Sequence, residues 1–193
     1  MTDLLRKVFG KLLNSIAVFL NSLGFSPNLM TILGVLGNIL AAWFISKGNL
    51  VTGGVMVLVF GSFDAIDGSM ARLQGGETKS GAFLDSVMDR YSEFAIFLGI
   101  LVYSLRNSNP INCILVFLAT AGSVLVSYIR ARAQSLGVET KIGILTRVER
   151  YLVIVPSLLL GRPDVGLWII AILGNVTAFQ RIWHVWQQLK QLE

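Results

Sequence analysis

Six long apolar stretches dominate this sequence, and short polar connections separate them. A helix that spans a bilayer needs roughly 20 mostly apolar residues. The predicted spans are residues 29–46, 50–73, 81–105, 111–136, about 147–161 and about 165–186. Ser26 and Pro27 form a typical helix start before the first span, and Pro110 starts the fourth. The pattern predicts an all-α polytopic membrane protein, with a six-helix transmembrane bundle over 29–186 and a single domain over 1–193.

The composition excludes most other classes of protein. Hydrophobic residues make up 54% of the chain and charged residues only 14%, with a mean hydropathy of +0.69, whereas an ordinary soluble domain is about 25% charged. A soluble domain of 193 residues leaves too much surface exposed to hide so many apolar side chains. The single cysteine, Cys113, also excludes a disulfide scaffold.

The segment before the first span has a different pattern. Over residues 3–23, apolar side chains recur every three or four positions, while Lys7, Lys11 and Asn14 face elsewhere. We expect an amphipathic N-terminal helix that lies in the membrane interface rather than crossing the bilayer.

The basic residues are unevenly placed along the chain. The net charge is +5, with 16 Lys and Arg. If six spans alternate, all of these except Lys47, Arg106 and Arg162 fall on one side. This asymmetry predicts that both termini and the loops after the second and fourth spans are cytoplasmic, in a multi-pass protein of the cell membrane. Because the basic residues punctuate apolar runs, we expect anionic lipids or an anionic substrate as partners and no nucleic acid.

Four acidic residues lie at or near the ends of predicted spans. Asp64 and Asp67 are three positions apart at the end of the second span, and Asp85 and Asp89 are four apart at the start of the third. Each pair therefore shares one helix face. A short glycine-rich turn at residues 75–76 makes the two helices adjacent and antiparallel, so that the four carboxylates can point at one place.

Clustered carboxylates repel one another and need cations. Oxygen ligands without His or Cys favour Mg²⁺ or Mn²⁺ over zinc. Two carboxylate pairs suit a two-metal site, which can hold phosphates during an in-line displacement.

The spacing of these residues matches the signature of a known family. The matching positions are Asp64, Asp67, Gly68, Ala71, Arg72, Gly81, Asp85 and Asp89. In these positions, and in the Pro27–Thr31 segment that opens the first span, the chain resembles the CDP-alcohol phosphatidyltransferases. The resemblance covers most of the chain and implies an enzyme that transfers a phosphatidyl group from CDP-diacylglycerol to an alcohol, releasing CMP.

The resemblance also implies roles for individual residues. The ligands of two Mg²⁺ or Mn²⁺ ions would be Asp64, Asp67, Asp85 and Asp89. Asp89 would also be the catalytic general base. The CDP-binding residues would be Asn28, Thr31, Asp64, Gly68, Ala71, Arg72, Thr78 and Gly81. The family resemblance further implies a homodimer.

A basic segment after the fourth span bears on the acceptor alcohol. Its pattern resembles the branch of the family that makes phosphatidylinositol phosphate, or the archaeal-lipid counterpart, from inositol phosphate. The residues that would hold the acceptor's phosphate are Arg130, Lys141, Arg147 and Arg150. Arginine forks suit phosphate, although ordinary flanking charge is an alternative for such a loop. Glycerol 3-phosphate, the acceptor of a phosphatidylglycerophosphate synthase, is the close competitor because it also carries a phosphate.

Functions of other classes also use acids inside membranes. A cation transporter would place carboxylates along an ion pathway, but these four lie at one end, and the remaining spans offer no acid deep in the bilayer to extend a path. A non-catalytic lipid-binding scaffold would explain the basic surface but not two closely spaced carboxylate pairs. The enzyme is therefore the favoured interpretation.

Overall fold

A computed structural model describes residues 13–76, 78–140 and 142–192. Within these ranges every regular element is an α-helix, which confirms the all-α prediction. The chain forms two compact units, the first ending at Gly99 and the second beginning at Ile100. The assignment of the whole chain to a single domain stays a prediction.

Eight helices lie in the described ranges. They are α1 (Leu13–Ser22), α2 (Pro27–Ser46), α3 (Leu50–Gly61), α4 (Phe63–Leu73), α5 (Lys79–Arg106), α6 (Pro110–Ser135), α7 (Arg147–Leu159) and α8 (Pro163–Lys190). Helices α3 and α4 follow one another so closely that they form one continuous apolar segment, Leu50–Leu73. The boundary between the two units falls within α5.

The prediction of six transmembrane helices is wrong. In the described residues, four helical segments are long and apolar enough to cross a bilayer: Pro27–Ser46, Leu50–Leu73, Pro110–Ser135 and Pro163–Lys190. They make this chain an integral membrane protein. The assignment of basic residues to two sides of the membrane assumed six spans. It therefore no longer supports the predicted cytoplasmic orientation of the termini.

The two remaining predicted spans fail for different physical reasons. Helix α5 has 28 residues, but its first half carries several charges, and the uncharged part, residues 94–105, is too short for a span. Helix α7 has 13 residues, or about 20 Å at 1.5 Å per residue, against a hydrocarbon core of about 30 Å. Counting apolar residues along the sequence overestimated the length of the membrane-spanning part in both segments.

The N-terminal amphipathic helix was predicted over residues 3–23, and its first part, residues 3–12, lies outside the described residues. The described part is α1. Ala17 of α1 is fully buried and packs with Met30 of α2 and with Ile66 and Met70 of α4. Helix α1 thus covers one side of the helix that carries the first aspartate pair.

Small residues set the packing within the first unit. A Cβ atom added at Gly37 of α2 would lie 2.0 Å from the Phe60 ring of α3, and one added at Gly53 of α3 would lie 2.4 Å from Ile45. Distances this short leave no room for a side chain. The glycines therefore bring α2 and α3 together, and α2 also packs against α4.

Close approach also characterises the second unit, in which α6 and α7 both pack against α8. A Cβ at Gly122 of α6 would lie 3.0 Å from the backbone nitrogen of Asn175 in α8. The Asn175 side-chain amide donates to the Leu118 carbonyl across this contact at 3.0 Å. Gly166 of α8 has the same role against Ser157 of α7.

Candidate active site

Helix α4 has an apolar face and an acidic face. Its apolar residues Ile66 and Met70 are buried in the cluster with α1 and α2. Asp64 lies in the first turn and is half-buried, whereas Asp67 is only 6% exposed. A carboxylate buried to this extent requires a partner, because burial without one is strongly unfavourable.

The start of α5 brings the third carboxylate to this place. Gly75 and Gly76 have φ values of +97° and +118°, which glycine adopts without strain. Thr78 then caps α5, because its Oγ1 accepts a hydrogen bond from the backbone N–H of Gly81 at 3.0 Å. Asp85 follows four residues after Gly81, one turn further along the same helix.

Asp64, Asp67 and Asp85 form one group of carboxylates. Each offers an oxygen that lies within 4.8 Å of the oxygens of the other two. Three hard oxygen donors at this separation are suited to a divalent cation such as Mg²⁺ or Mn²⁺. The residues present therefore fit the predicted metal site, and these three aspartates could hold an ion.

Thr31 of α2 contacts this group directly. Its hydroxyl donates a hydrogen bond to Oδ2 of Asp67 at 2.6 Å. The sequence predicts Thr31 only as a nucleotide contact, because a contact between residues 36 positions apart leaves no signal in a local pattern. A partner of this kind fixes the orientation of a metal-ligating carboxylate.

Asp89 is not part of the group of three. It lies one turn after Asp85 on α5, and its Oδ2 is 3.5 Å from Nη1 of Arg90. The Asp89 side chain is 11% exposed. The structure thus brings together three of the four predicted metal ligands and leaves Asp89 beside them on the same helix.

Three of the predicted CDP-binding residues surround one small space. A Cβ atom at Gly81 would lie 3.0 Å from Oγ1 of Thr78 and 3.5 Å from Oδ1 of Asn28. Asn28 and Thr78 are exposed. The absence of a side chain at position 81 keeps these two polar groups accessible to a ligand.

The other predicted CDP-binding residues lie on α4. At Gly68, the nearest described atom to an added Cβ would be Nη1 of Arg72 at 3.6 Å. The Arg72 guanidinium is exposed and donates to the Ser69 hydroxyl at 2.8 Å. Ala71 is half-buried beside it. A small, open surface next to a fixed cation suits a phosphate or a nucleotide.

The predicted acceptor residues lie in the second unit. Arg130 of α6 is exposed, Arg147 of α7 is half-buried, and Arg150 of α7 is only 3% exposed. Lys141 lies outside the described residues. Thr146 is the N-cap residue of α7, and its hydroxyl donates to the Glu149 carboxylate in the first turn. This side-chain bond spans the turn that carries both arginines of α7.

Arg181 of α8 belongs to the same basic region, although no sequence motif predicts it as a site residue. It is 4% exposed, and the charges of Arg130 and Arg150 act on it. In the sequence, Arg181 contributes only to the asymmetry of basic residues, and the polar residues Gln180 and His184 beside it make it resemble an ordinary helix end.

These features define a class of protein. A family model described as CDP-alcohol phosphatidyltransferase matches residues 25–183. The chain therefore belongs to this family and is a membrane-embedded transferase of phospholipid synthesis.

Curated relatives are similar over nearly their whole length. An archaetidylinositol phosphate synthase of Pyrococcus horikoshii is 36% identical over 92% of this chain and 93% of the relative. A phosphatidylinositol phosphate synthase of Mycobacteroides abscessus is 31% identical over 92% of this chain and 84% of the relative.

Solved structures of one enzyme show the same fold. A phosphatidylinositol phosphate synthase of Mycobacterium tuberculosis with CDP-DAG bound matches with a TM-score of 0.83 and 31% identity, over 91% of this chain and 94% of the other. The same enzyme in complex with manganese and citrate matches with a TM-score of 0.81 and 32% identity, over 90% and 88% of the two chains.

Proposed function

We propose that this enzyme transfers the phosphatidyl group of CDP-diacylglycerol to a hydroxyl of inositol phosphate, forming phosphatidylinositol phosphate and CMP. The observation that carries the choice of acceptor is the burial of two arginines in the second unit, Arg150 at 3% and Arg181 at 4% exposed. Buried guanidinium groups suit a phosphate ligand, because their planar forks match its oxygens. The names of the relatives, inositol phosphate synthases with two kinds of lipid, support the same choice.

The proposed cofactor is a pair of Mg²⁺ or Mn²⁺ ions, with Asp64, Asp67, Asp85 and Asp89 as ligands. Support comes from the group of three carboxylates and from the manganese complex of the M. tuberculosis relative. When bound, such ions neutralise charge on a pyrophosphate and on the departing CMP. Manganese titration followed by electron paramagnetic resonance counts the ions directly, and saturation at one ion per chain would contradict the pair.

Asp89 is the proposed general base. Its carboxylate accepts the proton of the acceptor hydroxyl while that oxygen attacks the phosphorus that carries the lipid. The bond from this phosphorus to the bridging oxygen breaks, and CMP leaves with the electron pair. The position of Asp89, one turn beyond Asp85, suits a group that contacts the acceptor rather than the centre of the carboxylate group.

The nucleotide is proposed to bind across the start of α5 and the face of α4. The open space at Gly81 between Asn28 and Thr78 would take one part of CDP, and the exposed Arg72 guanidinium beside Gly68 would take a phosphate oxygen. The remaining proposed contacts are Thr31, Asp64 and Ala71.

The acceptor's phosphate is proposed to bind Arg130, Lys141, Arg147 and Arg150. Arg150 is the central member, because a buried guanidinium binds an anion with little competition from water. The half-buried Arg147 is the first residue of α7, directly after the N-cap residue Thr146.

We further infer that the acidic end of the first unit faces the cytoplasm at the cell membrane, with both termini on that side. Arg72 and Lys79 flank this end, against Lys47 at the opposite end of α2 and α3. A cysteine placed at Lys79 should resist impermeant reagents added outside the cell, and labelling from outside would reverse the orientation. The homodimer implied by the resemblance is tested by the mass of the detergent-solubilised protein.

A panel of acceptors tests the reaction. Purified protein with CDP-diacylglycerol and Mg²⁺ or Mn²⁺ should release CMP with inositol phosphate and much less with inositol, serine or glycerol 3-phosphate. Higher turnover with glycerol 3-phosphate would replace the proposed product by phosphatidylglycerophosphate. A parallel arm with a CDP-activated ether lipid decides between the two lipid classes named in the relatives.

A further inference from the structure

Two side chains of α8 hold the backbone of the loop that connects α6 to α7. Thr177 and Arg181 are four residues apart and thus lie on one face of α8. Thr177 is fully buried and Arg181 nearly so. Both are polar groups in an apolar helix, and both use their polar atoms on main-chain groups of residues outside α8.

The hydrogen bonds join the loop to two helices. The Arg181 Nε donates to the Ile142 carbonyl at 2.8 Å, and its Nη1 donates to the Val126 carbonyl of α6 at 2.7 Å. The Thr177 Oγ1 accepts from the backbone N–H of Leu145 at 3.0 Å. The loop is therefore fixed at two points, on either side of Gly143.

Gly143 lets the loop lie against Thr177. Its φ is +136°, and a Cβ added there would be 2.4 Å from Cγ2 of Thr177. The methyl group of Thr177 fills the space that a side chain at position 143 would need. This contact places the Thr177 hydroxyl within hydrogen-bond distance of the Leu145 N–H.

The backbone of Leu145 connects Thr177 to the basic group. Its N–H is held by Thr177, and its carbonyl accepts a hydrogen bond from Nη1 of Arg150 at 3.5 Å. Thr146, the cap of α7, follows directly in the chain. A shift of Leu145 would therefore move both the start of α7 and one of the anchors of the Arg150 guanidinium.

We propose that Thr177 is a positioning residue for acceptor binding, which acts through the backbone of Leu145 on Arg150. The proposal rests on the assignment of Arg150 to the acceptor's phosphate. Thr177 holds the loop by its hydroxyl oxygen and contacts no substrate. Its loss therefore weakens binding of the phosphorylated acceptor while binding of the CDP-lipid stays the same.

The test compares Thr177→Val with Thr177→Ser in the full-length protein. Valine keeps the shape but removes the acceptor for the buried Leu145 N–H, and serine keeps the oxygen. Thr177→Val should raise KM for inositol phosphate about tenfold and leave KM for CDP-diacylglycerol within about twofold of wild type. Thr177→Ser should remain close to wild type for both. If Thr177→Val does not fold, Thr177→Ala replaces it under the same criteria.

Three results would overturn the proposal: an unchanged acceptor KM in a folded valine variant, an equal rise in both KM values, or a serine variant as impaired as the valine variant. Failure of the proposed function is seen separately, in the wild-type protein. If wild type turns over glycerol 3-phosphate instead, the same KM comparison is made with that acceptor. If wild type uses only acceptors without a phosphate, both the proposed function and the role of Thr177 are contradicted.

Discussion

The acidic group of the first unit and the basic group of the second are built in different ways. The aspartates are placed by helix periodicity, with Asp64 and Asp67 one turn apart and a short turn leading to Asp85, and Thr31 contacts Asp67 directly. The arginines come from separate helices, and the loop beside Arg150 is held by bonds to its backbone. Spacing along a helix suffices for the first arrangement, whereas the second depends on tertiary contacts.

This difference has a consequence for substitutions. In the acidic group each side chain can be removed while its helix keeps the others in place. In the basic group the loop and the capped start of α7 must be kept as well. Substitution of a ligand residue should therefore impair the group that contains it, in either region. Substitution of a supporting residue should affect one region and leave the other unchanged.

The largest effect is expected for Asp89→Asn. The amide cannot accept the hydroxyl proton, so the transfer rate should fall roughly 10²–10⁴-fold, while CDP-diacylglycerol still binds. The measurement is CMP release in parallel with nucleotide binding. Asp164→Asn is the matched control, since Asp164 is an acid that pairs with Arg162 in the second unit. Wild-type turnover of Asp89→Asn would remove Asp89 from the role of base.

The next effect is expected for Arg150→Gln. Loss of a buried guanidinium should raise KM for inositol phosphate about 100-fold, because hydrogen bonds to charged groups in a dry site are strong. The KM for CDP-diacylglycerol should not change. Arg132→Gln is the control, because Arg132 is an exposed arginine that donates to Ser135. Equal effects of the two substitutions would mean that the basic segment acts only through general charge.

A smaller effect is expected for Thr31→Val. The Asp67 carboxylate loses its donor, and the affinity for Mn²⁺ should fall about tenfold, as is usual for groups that orient metal ligands. Manganese titration without substrate measures this directly. Thr120→Val serves as the control, because the Thr120 hydroxyl donates only to the Val116 carbonyl of its own helix among the described contacts. Unchanged manganese affinity with weaker CDP binding would assign Thr31 to the nucleotide instead.

Local features of this fold were predictable from the sequence. The helix starts at Pro27 and Pro110 are confirmed, because a proline at the first turn and a capping side chain are local signals. The proximity of the aspartate pairs followed from helix spacing and a glycine turn. The spans predicted at α5 and α7 were wrong. Hydropathy does not show where a helix ends, and it gives too little weight to the charges at the start of α5.

Long-range contacts were not predictable. Asp89 shares the face of Asp85 by spacing but not the group of three carboxylates, because the tilt of a helix decides which turns approach a neighbour. Thr31 and Asp67 are 36 positions apart, Thr177 and Leu145 are 32 apart, and Arg181 and Val126 are 55 apart. No local pattern encodes such pairs, so their roles required the structure.

The position of the first aspartate pair also bears on how the chain enters a membrane during synthesis. An aspartate at the centre of a transmembrane helix costs about 2.5–3.5 kcal/mol on insertion scales, and the cost falls towards the ends. Asp64 and Asp67 lie in the second half of the Leu50–Leu73 segment, after the wholly uncharged Leu50–Gly61 helix. The segment can thus leave the ribosome-bound insertion machinery as an ordinary hydrophobic helix, already carrying half of its predicted metal ligands.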